Sequence, residues 1–167
     1  EEREVWRSAS EGLRLAARQL MHSILDVVDE VHDTHHPVSS ALYFEEQEEA
    51  AVIAAQAFVS ERWPGWLDYF DACITFHGGP WLLGERPTYP DVALFQLIEG
   101  LHFAFPRAMA SCRPRMGKLL AIRDAVSVRP RLAEYLRSPR RIAFNEHGIF
   151  RFYDALDLVP EAGTGKV

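Results

Sequence analysis

Residues 88–101 constrain the fold of this chain more than any other stretch. Thr88 precedes Asp91 by three residues, with Pro90 between them. At this spacing each side chain can bond the backbone N–H of the other, which opens a helix, and proline fits the first turn because its missing N–H has no helical partner there. The residues that follow are mostly apolar: Val92, Ala93, Leu94, Phe95, Leu97, Ile98 and Leu101. They cover almost every side of a helix, so the sequence predicts a buried central helix that ends near Phe105.

Helical spacing also dominates the first half of the chain. Apolar residues recur every three or four positions over residues 1–32, which predicts one long helix. This helix should end between His32 and Pro37, because the residue before a proline avoids helical backbone. A second helical pattern runs from Glu45 to Phe76 and contains Pro64-Gly65, where a kink is predicted rather than a break.

The second half of the chain predicts shorter helices and an irregular end. Pro114 and Pro130 each begin an apolar pattern at helical spacing, and the second pattern stops at Ser138-Pro139. Residues 140–157 contain aromatic side chains without a sustained period, which predicts an extended tail wrapped over the bundle. Since no run of alternating β-branched residues is present, the predicted class is all-α, a helical bundle of about five to six helices.

Length and charge limit the classes of function. The 167 residues correspond to one domain, predicted to span residues 1–157, with a disordered tail at residues 158–167. The net charge of −6 argues against nucleic acid as a partner. Cys73 and Cys112 have no paired spacing, so neither a disulfide framework nor a zinc site is expected. No apolar run reaches membrane-spanning length and the N-terminus is charged, so we expect no membrane partner, no signal peptide and a cytoplasmic location.

Three segments of the chain resemble one known family. The stretch Trp81-Leu82-Leu83-Gly84-Glu85-Arg86-Pro87, followed by the box at Thr88 and Asp91, resembles the loop and capping box that open the buried helix of the cytosolic glutathione transferases. Residues 126–136 resemble the last regular helices of that family, and Phe144-Asn145-Glu146-His147-Gly148 resembles the Asn-Gly tail of its pi class. The likeness covers nearly all of the chain and implies the all-helical C-terminal domain of a glutathione transferase.

What this resemblance implies about activity is the conjugation of glutathione to apolar electrophiles, a detoxification reaction. Members of the family carry the residue that activates the thiol, a Tyr, Ser or Cys, on an N-terminal thioredoxin-like domain, and this chain has no βαβ pattern for such a domain. We therefore assign no catalytic residue, expect the chain alone to be inactive, and expect an enzyme only where the chain is joined to that domain. The resemblance further implies a homodimer that uses glutathione as co-substrate and needs no cofactor.

The resemblance also implies where a hydrophobic substrate would bind. The family uses the middle turns of the first helix as one wall of that pocket, which here correspond to Leu20, Met21, Ile24 and Leu25. Leu20 and Ile24 lie on the main apolar stripe, where core packing is the favoured interpretation. Met21 and Leu25 lie on its shoulder and are the better candidates, since a flexible methionine suits a pocket that accepts varied shapes.

Two polar positions complete the predicted site. The resemblance places Asn145 at the floor of the pocket, and a turn residue that bonds its own backbone is an equally good interpretation. It places Glu11, or less favourably Arg14 or Arg18, near the glutathione of the partner subunit, with a solvated helix face as the favoured alternative.

The cluster His32, Asp33, His35 and His36 invites comparison with a metal site. Adjacent histidines followed by a proline rarely converge on a tetrahedral centre, and cationic groups near a helix C-terminus are favoured by the helix dipole. We therefore predict no metal site.

Two non-catalytic functions stay open at this point. A free-standing transferase-like helical domain can serve protein assembly, and the same scaffold can bind apolar ligands without chemistry. An upstream thioredoxin-like domain in the same gene would favour the enzyme over both alternatives.

Overall fold

The computed structural model describes residues 10–159, and every regular element within them is helical. The all-α class is therefore confirmed. The β-type contact in this range is an isolated bridge between Trp81 and Gly84, in the loop before the capping box. The start of the predicted first helix, residues 1–9, and residues 160–167 of the predicted disordered tail lie outside the described residues.

Seven α-helices follow one another along residues 10–159. They are α1 (Glu11–His35), α2 (Glu48–Ala57), α3 (Trp63–His77), α4 (Tyr89–Ala104), α5 (Pro106–Cys112), α6 (Gly117–Ser127) and α7 (Pro130–Arg137). Phe44–Glu46 and Arg113–Arg115 form 3₁₀ turns, and a π turn at Phe58–Arg62 joins α2 to α3 without a break. Counted as continuous rods, the described helices number six, in agreement with the prediction. None of these helices is both long and apolar enough to cross a lipid bilayer.

α4 is the central helix of the bundle. It packs against both α1 and α6, and the side chains of Leu94, Ile98 and Leu101 are fully excluded from solvent. Each such residue contributes about 2 kcal/mol through the hydrophobic effect. The other helices assemble around α4 because no other element has apolar residues on so many of its sides.

α1 begins at a serine cap and ends at the histidines. The Ser10 hydroxyl accepts a hydrogen bond from the backbone N–H of Leu13 at 3.2 Å, which satisfies one free donor of the first turn. The helix ends at His35, two residues before Pro37. Its buried stripe packs on α4 and α2 and consists of Ala17, Leu20, Ile24, Val27, Val31, Thr34 and His35.

Pro64 does not break the second helix. Phe58–Arg62 is a π turn, in which the Trp63 N–H bonds to the Phe58 carbonyl. Pro64 is then the second residue of α3, directly after this turn. A π turn is a recognised cause of helix kinks, so the change in helix geometry lies before the proline rather than at it.

In the second half one helix was not predicted and one predicted helix start is wrong. The sequence pattern indicates no helix between α4 and Pro114, whereas Pro106–Cys112 forms α5. Pro114 lies in a 3₁₀ turn, and the helix expected to begin there, α6, begins at Gly117. The start of α5 is capped by Asp157, fifty positions away from Arg107, and local spacing does not reveal this contact.

After α7 the chain runs as an extended tail, residues 138–159, with turns but no helix. Phe150 is 8% exposed and seats its ring over the backbone of Gly100 in α4. The ring of Tyr153 stacks on Phe44, with the two centroids 4.1 Å apart. The irregular tail is thus confirmed, and it is seated on α4 and on the 3₁₀ turn that precedes α2.

Candidate functional site

The loop before α4 is held by one buried carboxylate. Asp91 is fully excluded from solvent and accepts hydrogen bonds from the Thr88 N–H at 2.6 Å, the Thr88 hydroxyl at 2.8 Å and the Leu82 N–H at 2.9 Å. Thr88 and Asp91 form the capping box that opens α4. Burial raises the pKa of the Asp91 carboxyl, and the hydrogen bonds from Leu82 and Thr88 act in the opposite direction. The bond from Leu82, which the sequence pattern does not reveal, fastens the loop to the helix.

One flank of α1 outside the core carries both arginine and apolar side chains. At about 100° per residue, Arg14, Arg18, Met21 and Leu25 lie within one narrow sector of the helix, and we call these four residues the α1 shoulder. Met21 and Arg14 are half-buried, Arg18 is exposed, and Leu25 is 43% exposed. The α1 shoulder therefore presents apolar surface that the described residues do not cover completely.

The other two predicted wall positions lie inside the bundle. Leu20 is 3% exposed and Ile24 is 2% exposed, and both belong to the main hydrophobic core. Both residues are therefore packed in the core, which was the interpretation favoured for them over a place in the pocket. On this flank a ligand can therefore reach Met21 and Leu25 more readily than either core residue.

Asn145 and Glu11 each have a local structural explanation in this chain. The Asn145 Nδ2 donates to the Ala143 carbonyl at 3.0 Å, and its Oδ1 accepts the His147 N–H at 2.8 Å. These bonds close a local turn around Asn145, which is the interpretation that the sequence left open as the alternative to a role in the pocket. Glu11 is exposed in the first turn of α1, where the helix dipole favours a carboxylate. The structure does not bring either residue into hydrogen-bonding contact with the α1 shoulder.

Three histidines at the end of α1 pack on one another and on the tail. The ring centroids of His32, His35 and His36 lie 4.7, 5.0 and 5.2 Å apart, pair by pair. The His35 Nε2–H donates to the Ile149 carbonyl at 2.9 Å, and Arg151 Nη1 donates to His36 Nε2 at 3.2 Å. We call His32, His35, His36 and Arg151 the histidine node. The sequence shows the three histidines, but only the path of the tail brings the arginine to them.

Two histidines of the histidine node, His35 and His36, lie in surroundings that favour a neutral imidazole. Because Nε2 is the donor, His35 carries its lone pair on Nδ1, which is buried without a hydrogen-bond partner among the described residues. Burial lowers the pKa of His35 from 6.5 to about 4, the bond to Ile149 opposes this shift, and the cationic Arg151 adds to it. Burial and Arg151 also lower the pKa of His36. Within residues 10–159 no group of three His, Cys, Asp or Glu side chains is arranged to hold a metal ion.

The opposite flank of α1 is joined to the α2–α3 rod by polar contacts. The hydroxyls of Ser23 and Tyr69 are 3.2 Å apart, and Arg62 donates to Glu30 at 2.6 Å. Burial raises the pKa of the Cys73 thiol, against a hydrogen bond from Tyr69, so this thiol is not activated as a nucleophile. Sequence patterns do not reveal these contacts because the partners lie 46 and 32 positions apart.

An open depression of about 600 Å³ lies beside α3, away from all the predicted site residues. Its lining consists of Leu67, Asp68, Asp71, Ala72, Thr75, Phe76 and Arg115. Ion pairs cross its rim, from Arg115 to Asp68 at 2.6 Å and from Lys118 to Asp71 at 2.8 Å. These pairs are exposed and contribute little to stability.

The bundle is thus an all-helical domain with a central capped helix, a partly apolar flank on its first helix and a fastened tail. The family model described as "Glutathione S-transferase, C-terminal domain" matches residues 32–139. The chain belongs to this family of glutathione transferase C-terminal domains. The matched residues contain the capping box and all helices from α2 to α7.

A similar protein is a glutathione S-transferase of Plasmodium yoelii yoelii, which is 22% identical over 114 residues. The aligned residues make up 68% of this chain and 49% of that protein. The chain therefore spans about half of the length of the curated relative that it matches. Most of α1, including the α1 shoulder, precedes the residues matched by the family model.

Proposed function

We propose that this chain is the substrate-binding and dimerisation domain of a glutathione transferase that conjugates glutathione to apolar electrophiles. The observation that carries the proposal is the family match over residues 32–139. The half-buried Met21 and the 43% exposed Leu25 support it, because they form an apolar surface on the flank of α1 that the resemblance assigns to the substrate.

The chemistry of conjugation is divided between this chain and a glutathione-binding domain. The thiolate sulfur of glutathione attacks an electrophilic carbon, a C–S bond forms, and the leaving group departs with the bonding electron pair. The thiol proton passes to solvent when the thiolate is generated, a step we assign to a thioredoxin-like domain outside this sequence. This chain contributes the apolar wall that holds the electrophile beside the sulfur, and such positioning supplies much of the rate gain.

The proposal includes a homodimer, glutathione as co-substrate and a cytoplasmic location. Glu11 lies in the exposed first turn of α1, where a partner subunit and its glutathione can approach it. Cys73 and Cys112 are free thiols, which fits a reducing compartment. Under this proposal the reaction serves the detoxification of apolar electrophiles.

The test is turnover of 1-chloro-2,4-dinitrobenzene with glutathione by the full-length gene product. We expect retention on glutathione-agarose and formation of the conjugate. Leu25→Asp should lower kcat/KM roughly fivefold or more, because it removes about 1 kcal/mol of apolar contact and the new carboxylate would lose hydration under the ring.

The matched control is Leu15→Asp, which changes another exposed leucine of α1 outside the α1 shoulder. Leu15 is 55% exposed, so this variant should keep the kinetics of the wild type. Absence of both retention and turnover would overturn the proposal and favour a role of the helical domain in protein assembly.

A further inference from the structure

Two arginines of the α1 shoulder stand out in an acidic part of the chain. Residues 10–105 contain four cationic Lys or Arg side chains, Arg14, Arg18, Arg62 and Arg86, and acidic residues outnumber them several-fold. Arg62 is paired with Glu30 at 2.6 Å. By contrast, the side chains of Arg14 and Arg18 form no ion pair and no hydrogen bond with any residue from 10 to 159.

The helix dipole and the repulsion between like charges both disfavour arginine at positions 14 and 18 of α1. Arg14 lies in the first turn of α1, which begins at Glu11, and a cation is unfavourable at the positive end of the helix dipole. Arg18 follows four residues later, a spacing at which like charges repel each other. Uncompensated departures from local rules of this kind concentrate at functional positions. Arg14 is half-buried, and its side chain has no partner among the described residues.

The two guanidinium groups adjoin the apolar part of the α1 shoulder. Arg18 precedes Met21 by about 4.5 Å along the helix axis, and Arg14 precedes it by about 10 Å. A planar aromatic ring resting on Met21 and Leu25 would therefore place a substituent on its N-terminal side within reach of both long arginine side chains. The acceptor that suits a guanidinium best is a planar carboxylate, which it can bind through two parallel hydrogen bonds.

We propose that Arg14 and Arg18 make this site selective for aromatic electrophiles that carry a carboxylate. The inference rests on the proposed function, since it names the substrate class of the same site. Both arginines are specificity-determining residues. They bind a group remote from the reacting carbon, so they stabilise the bound substrate and the transition state alike and act on KM rather than on kcat.

The experiment compares two electrophiles with the same ring carbon under attack and the same leaving chloride, 4-chloro-3,5-dinitrobenzoate and 4-chloro-3,5-dinitrobenzamide. With the full-length protein we expect a lower KM for the benzoate. Arg14→Gln combined with Arg18→Gln should reduce kcat/KM for the benzoate about tenfold, through a higher KM, without a matching loss for the benzamide. Lysine at both positions should restore part of the preference, because it keeps the charge and loses the bidentate geometry.

The matched control is Arg131→Gln combined with Arg137→Gln, which removes the same charge from exposed positions on α7. This variant should retain the preference of the wild type. An equal loss on both compounds in the Arg14 and Arg18 variant would mean a merely structural role and would overturn the proposal.

A binding measurement separates this proposal from the proposed function. Isothermal titration of each compound into the full-length protein without glutathione should show tighter binding of the benzoate, and the Arg14 and Arg18 variant should abolish the difference. Equal binding of the two compounds by the wild type, or binding of neither, would overturn the selectivity. If the protein binds the benzoate selectively but does not turn over either compound, the transferase activity is overturned while the carboxylate selectivity of Arg14 and Arg18 is supported.

Discussion

Asp91 accepts three hydrogen bonds from two chain segments while it is fully excluded from solvent. A buried charge is tolerated only when hydrogen bonds replace its hydration, because an unpaired ion costs far more free energy in the interior than in water. Leu82 and Thr88 supply only donors to this carboxylate. An amide cannot reproduce the arrangement, because one of its two polar atoms is itself a donor.

Asp91→Asn should therefore destabilise the domain by about 2 kcal/mol, since the new amide group must face a donor or leave one unpaired. Urea unfolding followed by circular dichroism measures this difference. Asp26→Asn, at an exposed position of α1, is the control and should change the unfolding free energy by less than about 0.5 kcal/mol. Equal stability of the two variants would contradict the importance assigned to the buried carboxylate.

Gly12 and Gly100 are both helical, but their surroundings predict opposite effects of an added methyl group. A Cβ at Gly12 would have nothing within 4 Å, whereas a Cβ at Gly100 would overlap the ring of Phe150. Gly12→Ala should stabilise the protein by up to about 1 kcal/mol through helix propensity. Gly100→Ala should destabilise it by about 2 kcal/mol, because the ring has to move. If the same unfolding assay found both variants stabilised, Phe150 would not be seated on α4.

At the scale of elements, α5 and the tail stabilise each other. α5 has seven residues, too few for a stable helix in isolation. The carboxylate of Asp157 is 2% exposed and accepts the Arg107 N–H at 2.9 Å and the Ala108 N–H at 3.1 Å. Arg107 Nε also donates to it at 3.1 Å. The tail thus provides the N-terminal cap that the local sequence of α5 lacks.

Asp157→Ala should destabilise the protein by about 3 kcal/mol, because it leaves two backbone donors and a guanidinium without their buried acceptor. Asp154→Ala is the matched control, since its carboxylate bonds the same Arg107 but is 83% exposed, and it should cost less than about 1 kcal/mol. Hydrogen exchange of residues 106–112 should accelerate in the first variant and not in the second. Unchanged exchange in α5 would show that the cap is dispensable.

Elements with local signals were predictable from the sequence, and elements held by distant partners were not. The spacing of Thr88 and Asp91 and the apolar run after them located α4, whereas α5 depends on a carboxylate fifty positions away. At the candidate site, helical periodicity separated the buried Ile24 from the shoulder residue Leu25. The hydrogen bonds of the tail to the end of α1 had no such signal, because they depend on where an aperiodic segment crosses the bundle.

At the scale of the whole molecule, the histidine node couples the longest helix to the tail. His35 is 1% exposed and holds the tail through the Ile149 carbonyl, while Arg151 holds it through His36. The ring of Tyr153 lies 5.9 Å from that of His35. Burial, Arg151 and His32 lower the pKa of His36, and the backbone bond to Leu42 and the negative charge of Asp33 oppose this shift. Protonation would set imidazolium charges against the guanidinium and deprive it of its acceptor on His36.

This coupling predicts that the protein loses stability as the pH falls. His35 has a pKa of about 4 when folded and of 6.5 otherwise, so the unfolded chain binds its proton first. The contribution of His35 to the free energy of unfolding is therefore complete above pH 6.5 and decreases toward pH 4, by up to about 3 kcal/mol.

Urea unfolding at about pH 7.5 and about pH 4.5 should show a larger loss of unfolding free energy in the wild type than in His35→Leu, which does not titrate at this position. His22→Leu, at an exposed position, should follow the wild type, and hydrogen exchange of residues 147–153 should rise at the lower pH. Parallel losses in the wild type and His35→Leu would place the pH dependence in other groups.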